Sequence, residues 1–132
     1  MSESMPNLTP LEAHVFAYYL ANSAKDFSMV GRWFPYAELQ RTFTDKMQVD
    51  VRPFGQAAKD AAPAAAKHYF DHMLANGGFA TKEQKFGGTM HQHDAAGFKT
   101  ALEALKATDP VLAAASAGGA DYWATTFAEL TN

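Results

Sequence analysis

The stretch that decides the fold is residues 64–105, AAAKHYFDHMLANGGFATKEQKFGGTMHQHDAAGFKTALEAL. Apolar side chains recur at helical spacing over 64–76, which predicts an amphipathic helix. The inward face of this helix is expected to carry Tyr69, Phe70, Met73 and Leu74. The Asn-Gly-Gly sequence at 76–78 supplies the left-handed backbone conformation that ends many helices. The centre of the chain therefore begins with a helix that stops at a glycine turn.

A β-hairpin and a further helix are predicted after this turn. Residues 79–81 and 89–92 are typical of short strands, and the polar segment 82–88, which contains two glycines, connects them. The next helix begins around Asp94, whose carboxylate is suited to cap it, and extends up to Pro110. Its core-facing side chains are expected to be Phe98, Leu102 and Leu105. The hairpin thus lies between two helices of the chain.

Two helical patterns precede this stretch. The Thr-Pro-Leu-Glu sequence at 9–12 is a capping-box pattern with proline at the first helical position, and it predicts a helix over 10–24. Pro35 opens a second amphipathic pattern, which predicts a short helix that ends near Thr44. The apolar face of this second helix is expected to carry Tyr36, Leu39 and Phe43.

The segment between the second and third helices is the least regular. Residues 47–55 show a hint of two-residue alternation that is cut off by Pro53 and Gly55, which favours a short extended linker. Pro63 is expected either to begin the third helix or to kink it, because proline lacks a backbone N–H and clashes with the preceding turn. The predicted connection, residues 45–62, is therefore long.

Two more helices are predicted near the C-terminus, over 110–116 and 120–130, separated by a Gly-Gly pair. The expected fold class is accordingly mainly α with a small β-hairpin. The chain has 132 residues, of which 48% are apolar and 13% aromatic, and this is the size and buriable surface of one folded domain over 1–132.

Composition and charge limit the possible classes of protein. The chain contains no cysteine, which excludes disulfides, cysteine nucleophiles and zinc–thiolate sites. Neither a secretory leader nor a bilayer-spanning stretch is recognisable, so we expect a cytoplasmic protein without a membrane partner. The formal net charge of −3 argues against indiscriminate coating of nucleic acid. Residues 32–99 nevertheless carry nine basic and seven acidic side chains, although ordinary scatter of surface charge explains this at least as well.

The order of predicted elements, helix, short helix, longer helix ending in glycine, hairpin and helix, resembles the winged helix-turn-helix domain. In winged-helix transcription regulators, a recognition helix closes on a Leu-x-x-x-Gly-aliphatic turn. A wing and a Thr-x-x-Gly sequence that leads into the next helix follow. The positions that match this pattern are Leu74, Gly77 or Gly78, Phe79 and Gly97. The resemblance covers about residues 10–106 and implies a three-helix core, a wing, DNA as the partner and a role as a small transcription regulator.

Three features depart from the winged-helix pattern. The connection over 45–62 is longer than the tight turn usual in the family. The candidate recognition helix is rich in alanine and poor in side chains that read base edges. Residues 107–132 form an apolar helical extension with no counterpart in the minimal domain. This extension either completes the core, which is the simpler interpretation, or forms a homodimer face together with helix 1.

The resemblance implies two groups of nucleic-acid contacts. The group on and before the third helix is Arg52, Gln56, Lys59, Lys67 and His68, with His72 as an additional candidate. The group at the wing tip is Lys82, Gln84 and Lys85, which would reach phosphates or the minor groove. Small side chains near the start of the third helix leave its backbone amides accessible to phosphate. The alternative is that these polar side chains form an ordinary solvated face, and that the aromatic segment 27–36 packs in the core rather than stacks on bases.

The five histidines include two regularly spaced pairs. His68 and His72 are expected on one helical face, and His91 and His93 on one strand face. Such pairs, with a neighbouring aspartate, are a possible ligand set for zinc, copper or iron. The lack of cysteine and of a His-Glu-x-x-His sequence favours ordinary surface or interface histidines instead, so neither a metal nor another cofactor is predicted.

No residue pattern indicates catalysis. The serines lack a nucleophile-elbow context, the glycine pairs lack the Lys-Ser/Thr ending of a phosphate loop, and the acidic residues are scattered singly. We therefore do not expect an enzyme, and the winged-helix resemblance implies a DNA-binding protein. The alternatives are a protein–protein interaction module on the same fold and a histidine-based metal protein. A positive strip beside the third helix would favour DNA, and a neutral or acidic strip would favour a protein partner.

Overall fold

Helices make up most of the fold, and a small antiparallel sheet lies against them. The computed structural model describes residues 8–24, 32–86 and 88–131. The elements in chain order are α1 (Pro10–Asn22), β1 (Phe34–Pro35), α2 (Tyr36–Val51), a 3-10 turn (Arg52–Phe54), α3 (Gln56–Ala75), β2 (Phe79–Gln84), β3 (Gly88–His93), α4 (Ala95–Thr108), α5 (Pro110–Gly118) and α6 (Tyr122–Thr131). The predicted class, mainly α with a small hairpin, is confirmed. Part of the predicted aromatic segment, residues 27–31, lies outside the described ranges.

The predicted capping box is present at the start of α1. The hydroxyl of Thr9 accepts a hydrogen bond from the backbone N–H of Glu12 at 3.1 Å, and the Glu12 carboxylate accepts from the N–H of Thr9 at 3.0 Å. The helix ends at Asn22, two residues before the predicted end. Its buried side chains are Val15, Phe16, Ala17, Tyr19 and Leu20.

The prediction that the second helix ends near Thr44 is wrong. α2 continues to Val51 because its apolar stripe continues at four-residue spacing. The buried side chains of this stripe are Leu39, Phe43, Met47 and Val51. The predicted extended linker over 47–55 is therefore also wrong, and Val49, which suggested alternation, lies on the exposed side of the helix.

The connection between α2 and α3 is a tight turn. Only the 3-10 turn and Gly55 separate the two helices, so the long connection predicted over 45–62 is wrong, and this departure from the winged-helix pattern disappears. Gly55 has a φ of 101°, which is strained for any residue with a Cβ, and α3 begins directly after it.

Pro63 lies inside α3, which is continuous from Gln56 to Ala75, so the proposal that it begins the helix is wrong. Proline cannot donate to the carbonyl four residues earlier, which belongs to Lys59. The side-chain amide of Gln48, on α2, donates to that carbonyl at 3.2 Å. A neighbouring helix thus satisfies the backbone acceptor that the proline leaves unbonded.

The glycine turn after α3 is confirmed. Gly77 has a φ of 86°, and the N–H of Gly78 donates to the carbonyl of Met73 at 2.7 Å, the long bond of a Schellman motif. α4 begins beside this turn, where Asp94 accepts from the N–H of Gly97 as predicted for a cap. A Cβ at Gly97 would overlap the Gly77 carbonyl, so glycine permits this close approach.

The sheet has the order β1-β3-β2, and both pairings are antiparallel. The predicted hairpin is present with longer strands than the sequence indicated. β1 was not predicted, because its two residues pair with β3, far away in sequence, and Pro35 suggested only the start of a helix. Phe34 and Phe79 are buried on the inner face of the sheet, opposite His91 and His93 respectively.

The C-terminal helices α5 and α6 correspond to the two predicted there. Phe127 of α6 is fully buried, and its ring stacks on Phe54 at a centroid distance of 4.2 Å. The ring of Tyr18, on α1, meets the Phe127 ring edge to face. α6 therefore adds side chains to the core cluster built by α1, α2 and α3. No helix within the described ranges is both long enough and apolar enough to cross a bilayer.

Candidate nucleic-acid interface

The predicted contact residues of α3 include Lys67, which lies on the solvent-facing side of the helix. Its ammonium group is 2.7 Å from the carboxylate of Asp71, one turn later. The other oxygen of that carboxylate accepts a hydrogen bond from the hydroxyl of Tyr36 at 2.7 Å. The hydrogen bond to Asp71 raises the pKa of Lys67, and burial and Asp71 together raise the pKa of Tyr36. The positive charge of Lys67 is thus partly neutralised within its own helix.

Gln56 lies at the start of α3 and is also turned toward its own helix. Its side-chain amide donates to the carboxylate of Asp60 at 2.8 Å. The solvent-facing side of α3 consequently carries two acidic side chains, Asp60 and Asp71, and one basic side chain, Lys67. This strip is neutral to acidic, which is the condition we associated with a protein partner.

Arg52 and Lys59 lie at the other edge of the tight turn. Together with Asp45, Gln48 and Val49 they line a shallow open depression of about 250 Å³. Arg52 is exposed in the 3-10 turn, whereas Lys59 is half-buried. The structure therefore brings these two predicted residues together, next to the acidic side chain of Asp45.

His68 and His72 share one face of α3, as predicted, and this half-buried face lies toward Phe16 of α1 and Leu105 of α4. The His68 ring meets Phe16 edge to face at 4.9 Å. Burial lowers the pKa of both histidines, and the neighbouring His72 lowers that of His68 further. His68 is thus a neutral, half-buried side chain, which makes it a poor phosphate contact.

The residues predicted for a wing are arranged differently, because they stand on an exposed hairpin. The ammonium group of Lys82 lies 4.3 Å from the ring centroid of Trp33, and that of Lys85 lies 5.6 Å from the ring centroid of Phe86. Gln84, at the end of β2, is exposed as well. Neither lysine forms an ion pair with any residue that the structure describes.

Phe86 is 93% exposed at the tip of this hairpin, and the sequence analysis did not single it out. The signal was present, since a phenylalanine inside a polar, glycine-containing turn has no helix or strand face to direct it into a core. Trp33 was also missed as a partner of Lys82, because the two residues are far apart in sequence. The Glu83 carboxylate, between the two lysines, accepts a hydrogen bond from the hydroxyl of Thr89 at 2.9 Å.

His91 and His93 do share one strand face, but the prediction of surface or interface histidines is wrong for this pair. Both are only 4% exposed. His91 is hydrogen-bonded to the hydroxyl of Thr81 at 3.1 Å, and burial lowers its pKa. The His93 ring packs against Phe79 and Phe98 at 4.8 and 4.4 Å. Within the described ranges, no three His, Cys, Asp or Glu side chains are grouped so as to hold a metal ion.

Comparisons of the chain with protein-family models, with curated proteins and with solved structures give no match.

Proposed function

We propose that this chain binds nucleic acid, and that it does so mainly through the β2–β3 hairpin. The observation that carries the proposal is the group of Lys82, Lys85 and Phe86. The same hairpin carries two cations without an ion-pair partner in the described ranges and one exposed aromatic ring. Lysines in such a position contact phosphates, and an exposed ring stacks on a base or wedges between base pairs.

The order of elements supports a winged-helix arrangement for this proposal. Two helices joined by a tight turn precede the hairpin, and β1 closes the sheet in the order β1-β3-β2. In this arrangement the hairpin is the wing. We also propose that the protein is a small cytoplasmic transcription regulator. In that role, the wing would contact the DNA duplex.

The role proposed for α3 is smaller than the resemblance implied. A recognition helix needs side chains that are free to form hydrogen bonds with base edges. Lys67 and Gln56 are instead bonded to Asp71 and Asp60, and His68 faces α1. Among the α3 candidates, Lys59 with the nearby Arg52 is the pair best placed for phosphate contacts beside the tight turn.

The test is the binding of a random-sequence DNA duplex, measured by fluorescence anisotropy over a salt series. Each phosphate contact adds about −0.9 to the slope of log affinity against log salt. The change is Lys82→Glu with Lys85→Glu, which should make the slope less negative by about 2. The matched control is Lys99→Glu with Lys106→Glu, because both lysines are exposed on α4 and the change in net charge is the same.

Two outcomes would contradict the proposal. The first is no binding by the wild-type protein even at low salt. The second is an equal loss of slope in the hairpin variant and the α4 variant, because binding would then follow net charge and not the hairpin. Replacement of Phe86 by Ser in the wild-type background tests the ring separately, and it should weaken affinity without changing the slope.

A protein partner on α3 is the second candidate, and the neutral-to-acidic strip of Asp60, Lys67 and Asp71 favours it. A homodimer through residues 107–132 and α1 belongs to this candidate. The first candidate requires a negative salt slope for DNA, whereas the second requires a complex that forms without DNA, so the two are separated by one set of binding measurements.

A further inference from the structure

A cavity of about 100 Å³ lies where α1, α3, α4 and the start of α5 meet. Its apolar wall is formed by Phe16, Leu105 and Pro110, and its polar wall includes His68, His72 and Asp109. It is far smaller than a typical drug-sized site and of the order of the roughly 150 Å³ cavity that holds one benzene molecule. Its volume therefore suits a ligand with only a few heavy atoms.

Asp109 is the most unusual group in this wall. It is 5% exposed, and one carboxylate oxygen accepts hydrogen bonds from the backbone N–H groups of Val111 and Leu112, at 2.9 and 3.0 Å, as the N-cap of α5. The other oxygen, Oδ2, is buried and has no hydrogen-bond partner in the described part of the chain. Burial raises the pKa of this carboxyl, against the effect of the two backbone N–H groups. Oδ2 has almost no accessible surface, so a ligand in the cavity would meet the negative charge of this carboxylate and not the oxygen atom itself.

The two histidines add hydrogen-bond acceptors to the cavity wall. His68 and His72 are one helical turn apart on α3, and both line the cavity. Burial keeps their pKa values below the usual range, so each imidazole is neutral near pH 7 and carries one unprotonated nitrogen. Neither ring forms a hydrogen bond with any residue that the structure describes. The cavity thus combines a buried negative charge and two neutral imidazoles with an apolar wall.

We infer that this cavity binds a compact planar nitrogen cation of the amidinium or guanidinium type, with its N–H groups directed to the imidazoles and its positive charge next to the Asp109 carboxylate. Such a cation offers several N–H donors in one plane, and its carbon face is weakly hydrated enough to lie against Phe16 and Leu105. An anion would meet the Asp109 carboxylate. A metal ion is disfavoured because the three side chains are not grouped as ligands within the described residues.

The test uses acetamidinium as the probe, with tetramethylammonium at the same ionic strength as the control cation without N–H donors. Binding is followed by NMR through the imidazole resonances of His68 and His72, at a slightly alkaline pH and without nucleic acid. Acetamidinium should produce saturable shifts of these resonances, and tetramethylammonium should not. Because no DNA is present, the result is independent of the nucleic-acid proposal.

The variant that tests the charge is Asp109→Asn. Asparagine caps helices about as well as aspartate, so the fold should be retained while the carboxylate is lost. Acetamidinium affinity should fall about tenfold or more, because the negative charge beside the cation is lost. Asp94→Asn is the matched control, because it makes the same change at the N-cap of α4, and it should leave the affinity unchanged.

A second variant, His72→Leu, removes one acceptor from a half-exposed position and should weaken acetamidinium several-fold. The inference is overturned if tetramethylammonium causes the same shifts, or if both variants bind acetamidinium like the wild type. It is also overturned if Zn²⁺ saturates the two imidazoles and acetamidinium does not, because the site would then be a metal site. The inference is overturned as well if acetamidinium shifts neither histidine resonance in a folded wild-type protein.

Discussion

Replacing Gln48 by alanine removes the hydrogen bond that the structure gives to the Lys59 carbonyl, which Pro63 leaves without a helical donor. An unsatisfied buried acceptor costs about 1–3 kcal/mol. Gln48 is half-buried and water reaches part of this region, so we expect a loss of about 1 kcal/mol in the free energy of unfolding. For a chain of this size the unfolding midpoint should fall by roughly 3–6 °C.

A double-mutant cycle with Pro63→Ala, measured by urea denaturation, tests whether Gln48 replaces the helical donor that Pro63 lacks. Alanine restores an N–H that can donate to the Lys59 carbonyl, so Gln48→Ala should then cost almost nothing. The coupling energy between positions 48 and 63 is therefore expected to be about 1 kcal/mol. Gln40→Ala is the control on the same helix, and it should stay within about 0.5 kcal/mol of the wild type. This explanation would be refuted if Gln48→Ala cost the same in the wild-type background as in the Pro63→Ala background.

Two further predictions concern Asp50 and Phe127. Burial raises the folded-state pKa of Asp50 above its usual 3.8, although the hydrogen bond from Ser23 and the charge of Lys46 act in the opposite direction. The contribution of Asp50 to folding stability is therefore present at low pH and is lost as the pH rises through the raised pKa. Asp50→Asn should therefore gain stability relative to the wild type as pH increases from about 4, and a constant difference across that range in urea titrations would contradict this. Phe127→Ala should cost about 3–5 kcal/mol, because the ring is fully buried on Phe54. If α6 only completes the core, the unfolding midpoints of wild type and variant should not depend on protein concentration; a dependence would indicate a dimer.

Much of the fold was predictable because its signals are local. The capping box at 9–12, the glycine turn at 76–78 and the cap at Asp94 each act within a few residues, and each was predicted correctly. The sequence also indicates that α2 extends to Val51, because an apolar residue recurs at every fourth position. Pro53 and Gly55 suggested an extended linker instead, although they mark only the turn that follows the helix.

The remainder depends on contacts between distant residues. β1 is two residues long and exists because Phe34 pairs with His91, which no local pattern reveals. The hydrogen bond from Gln48 to the Lys59 carbonyl likewise requires knowledge of how α2 packs on α3.

At the candidate interface, the polar, glycine-containing composition of residues 82–88 was enough to predict that the hairpin lysines are exposed. The ion pair between Lys67 and Asp71 could have been predicted from the sequence, since the two residues are four apart in a helix. The contact of Lys82 with Trp33 could not, because it joins the hairpin to the segment before α2.

The exposed ring at the hairpin tip has a consequence for how this sequence can diverge. Since Phe86 remains 93% exposed after folding, it loses almost none of its contact with water and adds almost nothing to stability. Selection for a stable fold alone would let polar residues replace it freely, and would favour them because they lower the tendency to self-associate. Persistence of an aromatic residue at position 86 among descendants of this chain would therefore record selection imposed by a molecule that the hairpin touches.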